Sequence, residues 1–231
     1  MGYCGSTGAD YIDYIITDEV ASPPQILEIG YSEKAIYMPD SYFLNDYMQT
    51  SRYVFSDRRP RREDYNLPTD KFIFANFNQM YKLDPLTFQV WMNILKKVPN
   101  SVLWILEYPA DALPNLQMRA QQAGVDPNRI IMTPKAKKHE HINRCYLADL
   151  ALDNPITNGH TTTCDLLWSG LPMITFPIND SMPSRVATSL ACALGCGDEM
   201  VCSSYVDYTD RAVAYAIGTE ADLTAQQRKA Y

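Results

Sequence analysis

The sequence lacks the features that mark several large protein classes. No apolar run approaches the roughly 20 residues that a membrane-spanning helix needs. Neither the G-x-G-x-x-G fingerprint of dinucleotide oxidoreductases nor the G-x-x-x-x-G-K-[ST] loop of P-loop NTPases occurs. The six cysteines form no C-x-x-C pair and show no metal-like spacing to histidine. These absences disfavour membrane proteins, dinucleotide oxidoreductases, P-loop enzymes and proteins with a Cys/His metal site.

Positive charge is also scarce, because the formal net charge of the 231 residues is −7. Non-specific binding to nucleic acid or to an anionic membrane is therefore disfavoured. Nucleic-acid binding through basic residues stays a weak alternative, because no aromatic–basic alternation accompanies them. Many of the basic residues lie in two clusters. The first contains Arg52, Arg58, Arg59, Arg61 and Arg62, and the second contains Lys135, Lys137, Lys138 and Arg144. The three histidines, His139, His141 and His160, lie in or after the second cluster.

The cysteines and the two ends of the chain bear on cellular location and completeness. Six cysteines without a signal-peptide pattern predict reduced thiols in a cytoplasmic or nuclear protein. The sequence enters a strand-like segment without preamble, and its last residues, AQQRKAY, stop inside a helical pattern. We therefore expect a truncated chain.

Strand and helix patterns alternate from about residue 71. Asp84 and Pro85 are placed as N-cap and first residue of a helix, and continuous apolar runs of strand length are typical of a sheet covered on both faces. This alternation predicts βαβ units and an α/β fold, a Rossmann-like parallel sheet with helices on both faces. The predicted strands are 71–77, 101–107, 129–132, 149–153 and 172–176, and the predicted helices are 84–98, 115–124, 137–148, 162–169, 184–194 and 205–218.

The chain divides into three parts by its sequence pattern. Residues 1–50 hold another strand, at 13–18, and belong to a different unit. Residues 51–70 are polar, basic and interrupted by proline, which predicts a linker whose arginines form a solvated surface. Residues 71–231 form the Rossmann-like lobe.

Three segments follow predicted strands at the edge where open α/β sheets bind ligands. They are Asn76–Gln79 with Lys82, the basic helix from Lys137 to Arg144, and the stretch NGHTTTCD at 158–165. A Rossmann-like strand order would bring all three together at one edge of the sheet.

The basic helix allows two interpretations. Lys138, His141 and Arg144 are spaced three apart, so they lie close to one helical face, which can be a charged face turned to water. Cations in the first turn of a helix, however, oppose the helix dipole. An adjacent anion would offset that cost, which favours a ligand-binding role.

The stretch NGHTTTCD also has a structural and a functional interpretation. Gly159 permits a tight turn or close backbone approach, and Thr162 with Asp165 forms a T-x-x-D capping pair before an apolar run. Such a turn can serve only to start a helix. The same free N–H groups and threonine hydroxyls also suit an anion such as a diphosphate, with His160 as a phosphate donor or a packed turn residue. A sugar nucleotide fits this pattern better than a dinucleotide.

Four long segments closely resemble the catalytic region of the protein O-GlcNAc transferases: FANFNQMYKLDPLTFQVWMNILKKVPNSVLWIL, NRIIMTPKAKKHEHINRCYLADLALD, NGHTTTCDLLWSGLPMITFP and SRVATSLACALGC. The stretches MGYCGSTGADYIDYIITDEVASPP and YSEKAIYMPDSYFLND resemble the end of that family's first catalytic lobe and the crossing into the second. The resemblance implies a two-lobed GT-B fold, with residues 1–50 the remnant of the first lobe and residues 71–231 the UDP-sugar-binding lobe. Most of the first lobe and the family's tetratricopeptide (TPR) array would lie outside this chain.

The resemblance also implies a donor site for UDP-GlcNAc. Gln79 and Lys82 would contact the diphosphate, with Lys82 as the counter-charge to the leaving β-phosphate, and His160, Thr161 and Thr162 would donate to the phosphates. On the nucleoside side, Lys138 would lie near the ribose and His141 against the uracil. The remaining implied contacts are Ala136 and Lys137, which would line the uridine, Arg144, which would close its pocket, and Asp165, which would accept from a ribose hydroxyl.

The implied reaction is the inverting transfer of GlcNAc from UDP-GlcNAc to Ser or Thr hydroxyls of intracellular proteins. No Asp-x-Asp motif occurs, so we expect no metal and no cofactor, and the general base is expected outside this chain. Two alternatives stay open, a protein O-fucosyltransferase that uses GDP-fucose and a non-catalytic fragment that binds a sugar nucleotide.

Overall fold

The computed structural model describes residues 4–52, 59–109 and 111–218. The strands are β1 (Tyr14–Thr17), β2 (Lys34–Tyr37), β3 (Phe72–Asn76), β4 (Ser101–Glu107), β5 (Ile130–Pro134), β6 (Leu150–Leu152) and β7 (Met173–Ile174). The α-helices are α1 (Pro24–Gly30), α2 (Tyr47–Thr50), α3 (Pro85–Lys97), α4 (Ala112–Gln122), α5 (Lys138–Cys145), α6 (Thr161–Ser169), α7 (Val186–Ala193), α8 (Gly197–Met200) and α9 (Tyr205–Ile217). Short 3-10 helices lie at Arg62–Tyr65, Met80–Lys82, Pro127–Arg129 and Met182–Ser184.

Five strands form one parallel sheet in the order β5-β4-β3-β6-β7. The register pairs Phe74 of β3 with Leu103 of β4 on one side and with Leu150 of β6 on the other. The direction in which strands are added reverses between β3 and β6, which creates the crevice where ligands bind in open α/β sheets. The predicted parallel Rossmann-like sheet is therefore confirmed.

Apolar clusters cover both faces of this sheet. Phe74 and Leu103 face a cluster that includes Trp91 of α3 and Tyr208 of α9. Their neighbours along the strands face the opposite cluster, in which Trp104 is fully buried. Because side chains alternate between the two faces of a strand, strands without any polar interruption supply both clusters. The predicted placement of helices on both faces is confirmed.

Local signals fixed some helix boundaries and missed others. The carboxylate of Asp84 accepts from the backbone N–H groups of Leu86 and Thr87, and Pro85 opens α3 as predicted. The helix predicted at 184–194 is observed as α7, which begins two residues later, after a 3-10 turn at Met182–Ser184 that contains Pro183. β7 is only two residues long, since Thr175 leaves the ladder and bridges Val201.

Residues 4–52 form a small unit that lies on the lobe. β1 and β2 pair in parallel as a separate two-stranded sheet. The guanidinium of Arg185 donates to the backbone oxygen of Val20 over 2.7 Å, and the hydroxyl of Ser189 donates to Asp18 over 2.7 Å. Tyr47 packs into an apolar cluster with residues of α5, α6 and α7. The domain limits at 50 and 70, and the origin of residues 1–50 in a first lobe, stay predictions.

The segment predicted as a linker contains one arginine that binds the lobe. Arg62 donates both to the carboxylate of Asp149, over 2.8 and 2.9 Å, and to the backbone oxygens of Leu147 and Lys71. The prediction of a solvated surface is therefore wrong for Arg62, because the half-buried Asp149 offers it a counter-charge. Arg58 and residues 219–231 lie outside the described residues.

Two further observations concern predictions made from composition. All six cysteines are free thiols, and three of them are buried. Within the described ranges, no helix is long and apolar enough to span a membrane.

Candidate functional site

The three predicted ligand segments meet at the carboxyl ends of β3 and β6. The Lys82 ammonium donates to the backbone oxygen of Asn158 over 2.6 Å, which joins the segment after β3 to the segment after β6. The ring of Phe77 lies 5.3 Å from that of His141, edge to face, which adds α5. The predicted convergence is therefore observed, and the binding roles of the individual residues stay predictions.

Buried amides hold the ends of β3 and β6 together. Asn76 donates to the backbone oxygen of Leu152 over 2.6 Å and to the side chain of Asn154 over 2.8 Å. Asn78 donates to the same Asn154 oxygen over 2.9 Å. All three asparagines are buried, and their amide N–H groups are hydrogen-bonded, whereas Asn78 Oδ1 has no partner among the described residues. Buried hydrogen bonds of this kind make a rigid network. This network fixes the floor of the crevice.

Asp153, directly after β6, holds the turn that leads to α6. Its carboxylate accepts from the backbone N–H of Gly159 and from the hydroxyl of Thr175, each over 2.8 Å. Burial raises the pKa of Asp153 to about 6, against the lowering effect of the Gly159 bond. Sequence reasoning missed this role, although an acid at the end of the buried strand LALD was a usable signal.

Gly159 is required by a close approach of backbone and side chains. A Cβ atom at this position would lie 2.6 Å from Thr163 Oγ1 and 3.2 Å from both Asn78 Oδ1 and the backbone nitrogen of Thr163. Ordinary Cβ contacts are 3.4–4 Å. Of the two functions predicted for this glycine, the structure shows close approach, between the turn and the first residues of α6.

The start of α6 differs from the prediction. The helix begins at Thr161 with His160 as N-cap, and no side chain of the described residues caps it. The predicted Thr162–Asp165 capping pair is wrong, because Thr162 lies inside the helix and the Asp165 carboxylate accepts from the hydroxyl of Tyr47 over 2.6 Å. The first-turn N–H groups of α6 thus keep the capacity to bind an anion, with Thr161 exposed beside them.

Lys82 brings a positive charge to this helix start. Its ammonium is half-buried, and burial lowers its pKa while the charge of Asp153 opposes that shift. The Lys82 ammonium donates to the residue before Gly159. Its positive charge and the positive end of the α6 dipole therefore lie at the same part of the crevice. Gln79 is exposed and is the N-cap of the 3-10 helix Met80–Lys82. It is the other residue of this segment that is predicted to contact the diphosphate.

His160 is a neutral side chain at the edge of the crevice. Burial, together with the charge of Lys82, lowers its pKa to about 4. Its Nε2 lies 3.4 Å from the backbone oxygen of Pro183 and its Nδ1 lies 3.4 Å from the thiol of Cys4. Since a carbonyl oxygen only accepts, Nε2 carries the proton and Nδ1 accepts. His160 is held as a specific tautomer.

The basic helix α5 runs from the surface into the core. Lys138 is exposed, whereas Arg144 is 1% exposed and donates to Thr133 Oγ1 over 3.2 Å and to the backbone oxygen of Pro134 over 2.9 Å. The interpretation of this face as solvated is therefore wrong for Arg144, which ties α5 to β5. Ala136 is half-buried, and Lys137 is the exposed N-cap of α5.

His141 lies near the acid of α6, and Lys138 lies near the acid that precedes α2. Burial and the charge of Arg144 lower the pKa of His141 to about 4, and its Nε2 lies 3.8 Å from Asp165 Oδ2. The Lys138 ammonium lies 3.6 Å from Asp46 Oδ1. Neutral imidazole, carboxylate and ammonium groups at the side of the crevice are suited to hydrogen-bonding a polar, uncharged ring such as a nucleoside. In the described part of the chain, no group of three or more His, Cys, Asp or Glu residues could hold a metal ion.

Comparison with known families decides the assignment. The profile of the family described as glycosyl transferase family 41 matches residues 1–60 and 58–230. The chain belongs to glycosyl transferase family 41. The resemblance noted from the sequence motifs is thereby confirmed.

Curated family 41 relatives are much longer than this chain. This chain is 50% identical over 218 residues to a protein of Arabidopsis thaliana named probable UDP-N-acetylglucosamine–peptide N-acetylglucosaminyltransferase SEC. The alignment covers 94% of this chain and 22% of that protein. The chain is 29% identical over 335 residues to the UDP-N-acetylglucosamine–peptide N-acetylglucosaminyltransferase of Caenorhabditis elegans, covering 99% of this chain and 29% of that protein. The chain thus spans less than a third of the length of these two relatives.

Solved structures show the same fold. An O-GlcNAc transferase mutant from Thermobaculum terrenum superimposes with a TM-score of 0.81 at 23% identity, covering 99% of this chain and 42% of that chain. A glycosyltransferase from Rickettsia africae reaches 0.51 at 12% identity, covering 94% of this chain and 61% of that chain. These likenesses confirm the GT-B fold class for this family 41 chain.

Proposed function

We propose that this chain is the donor-binding lobe of a protein O-GlcNAc transferase of the cytoplasm and nucleus. The donor would be UDP-GlcNAc and the acceptors Ser and Thr hydroxyls of intracellular proteins. The observation that carries the proposal is the convergence of the three predicted ligand segments at the switch point of the sheet. There, the Lys82 ammonium and the uncapped start of α6 adjoin the Asp165 and His141 side chains. The names of the two family 41 relatives support the same activity.

The crevice offers different chemistry to the two ends of a nucleoside diphosphate. Lys82 and the first turn of α6, with His160, Thr161 and Thr162, form a positive end that suits the diphosphate; Gln79 is the further candidate there. The α5 side offers the Asp165 carboxylate to a ribose hydroxyl, with Lys138 beside it. The neutral His141 suits an uncharged base, with Ala136, Lys137 and Arg144 around it.

The reaction proposed for the complete protein is a displacement with inversion. The oxygen of an acceptor hydroxyl forms a bond to the anomeric carbon of GlcNAc while the bond from that carbon to the β-phosphate oxygen breaks. The hydroxyl proton passes to a base outside this chain, and UDP leaves with the bonding electron pair. Lys82 and the α6 dipole stabilise the negative charge that develops on the β-phosphate. In this proposal no metal ion is needed for that task.

The short span of the chain supports a second candidate, a fragment that binds the donor without transferring sugar. It covers 22% and 29% of the two relatives, and no residue of it is assigned as the general base. Transfer assays on this chain beside the full-length protein separate the two: binding without turnover by the chain identifies the fragment.

The first test is calorimetric titration of UDP and then GDP into the chain, with EDTA and again with Mg²⁺. We expect binding that is selective for UDP and indifferent to Mg²⁺, and weaker in Lys138→Ala and His141→Ala. Lys97→Ala is the matched control, because the exposed Lys97 pairs with Asp210 on α9 and not with the crevice. Preference for GDP would favour the fucosyltransferase alternative. A folded chain that binds neither nucleotide would overturn the proposal.

A further inference from the structure

Tyr47 reaches the donor site from outside the Rossmann-like lobe. It opens α2 in the N-terminal unit, is 2% exposed, and donates its hydroxyl proton to Asp165 Oδ1 over 2.6 Å. Asp165 lies on α6, far away in the sequence. The sequence motifs give this tyrosine no role.

We propose that Tyr47 is a positioning residue for donor binding, whose hydroxyl holds the Asp165 carboxylate so that its second oxygen, Oδ2, is presented to a ribose hydroxyl. The inference rests on the proposed function, because it assumes a nucleoside on the α5 side of the crevice. It also makes the N-terminal unit part of the donor site, since α2 supplies the group that orients a residue of α6.

The geometry around Asp165 leaves Oδ2 as the oxygen for a ligand. Oδ1 is occupied by Tyr47. Nε2 of His141 lies 3.8 Å from Oδ2, which is beyond hydrogen-bonding distance. Arg144 Nη2 lies 3.4 Å from His141 Nδ1, and a guanidinium only donates. Nδ1 therefore accepts and Nε2 carries the proton. The Cys145 sulfur also lies 3.8 Å from Nε2, so the hydrogen bond to the Asp165 carboxylate comes from Tyr47.

The ring and the hydroxyl of Tyr47 have separable contacts. The Lys138 ammonium lies 4.4 Å from the ring centroid, a cation–π contact, and the ring of Trp168 lies 5.7 Å away. A phenylalanine at position 47 keeps a ring for both contacts and removes only the hydroxyl. Tyr47→Phe therefore removes the bond to Asp165, together with the longer 3.4 Å contact of the hydroxyl to the backbone oxygen of Thr161, without opening a cavity.

The bond also affects the ionisation of Asp165. Burial raises the pKa of this carboxyl, while the Tyr47 hydrogen bond and then the charge of Lys138 lower it. The other titratable groups that face it are the neutral His141 and the protonated thiols of Cys145 and Cys164. Without the Tyr47 hydroxyl, the pKa of Asp165 rises further. A carboxylate that must accept from ribose then becomes protonated at a higher pH, and the acid limb of UDP binding moves upward.

The experiment compares UDP affinity of the wild-type chain, Tyr47→Phe and Tyr37→Phe by calorimetry from about pH 5 to about pH 8. Tyr37 lies in the same N-terminal unit, and its hydroxyl donates to the backbone oxygen of Ser22 over 3.0 Å, away from the crevice. We expect Tyr47→Phe to bind UDP about tenfold more weakly near neutral pH, equivalent to about 1.4 kcal/mol, with its acid limb shifted to higher pH. Tyr37→Phe should match the wild type.

The outcomes separate this inference from the proposed function. If the wild type binds UDP and Tyr47→Phe shows the same affinity and pH profile, the positioning role is refuted while the proposed function stands. If the folded wild type does not bind UDP, both fail. A pH titration of the Asp165 carboxyl carbon by NMR in the ligand-free chain adds an independent readout: a higher pKa in Tyr47→Phe supports the inference, and an unchanged pKa refutes it.

Discussion

Gly159→Ala should damage stability and diphosphate binding together. The added methyl carbon would lie 2.6 Å from Thr163 Oγ1, while ordinary contacts are 3.4–4 Å, and the backbone nitrogen of Thr163 at 3.2 Å blocks relief by rotating that side chain alone. The turn and the start of α6 must therefore separate by several tenths of an ångström. Overpacking of this kind costs about 1 to 3 kcal/mol, which lowers Tm by about 2 to 12 °C in a chain of this length.

The same displacement should weaken UDP binding more than uridine binding. Lys82 donates to the residue before Gly159, so a shifted turn separates its ammonium from the first turn of α6, where the diphosphate is expected. Thermal unfolding and calorimetry with both ligands measure the two effects. Gly30→Ala is the control, since a Cβ there would meet no heavy atom within 4 Å. Wild-type Tm and wild-type UDP affinity in Gly159→Ala would refute the reasoning.

Three further predictions concern charge and capping. In the complete transferase, Lys82→Ala should lower kcat by roughly 10²-fold or more, because one charge-stabilising donor is lost; steady-state kinetics with an unchanged kcat would remove that role. Asp153 has a folded pKa of about 6, above its unfolded value. Its protonated form therefore contributes about 3 kcal/mol to the free energy of unfolding below about pH 4. This contribution is lost as the pH rises through about 6. Urea unfolding of Asp153→Asn should lack that slope, and a slope identical to the wild type would contradict the assignment. Asp84→Ala should destabilise the chain by about 1 kcal/mol through loss of the α3 cap, and an unaltered urea midpoint would show that the cap contributes nothing.

Much of the lobe could be predicted because its signals are local. The runs FIFA in β3 and VLWIL in β4 are apolar without interruption, so the existence of these strands follows from burial on both faces. Asp84 before Pro85 identifies the start of α3 by the chemistry of a single turn. The convergence of the three ligand segments followed from the parallel order, which short strands and ten-residue helices already imply.

The remaining features depend on contacts between distant residues. Three successive threonines offer several equivalent helix starts. The Tyr47 hydroxyl donates to the Asp165 carboxylate, and no local sequence pattern predicts this pair. The sequence does not distinguish Arg62 from the other arginines of its cluster, because its partner Asp149 is distant along the chain. The sequence predicts β1 of the two-stranded sheet but not β2, because the alternation in KAIY is too short to distinguish from a loop.

The strand order has a consequence for how the chain acquires its fold. β3 can pair with β4, and β4 with β5, as soon as residue 134 has been synthesised, whereas β6 and β7 complete the sheet on the other side of β3. Synthesis proceeds from the N-terminus, and pairing between distant segments is slow. The crevice lies between β3 and β6, so it cannot exist in a nascent chain that ends before α6. We expect the half-sheet β5-β4-β3 to form first and competence for nucleotide binding to arise last, in one late step.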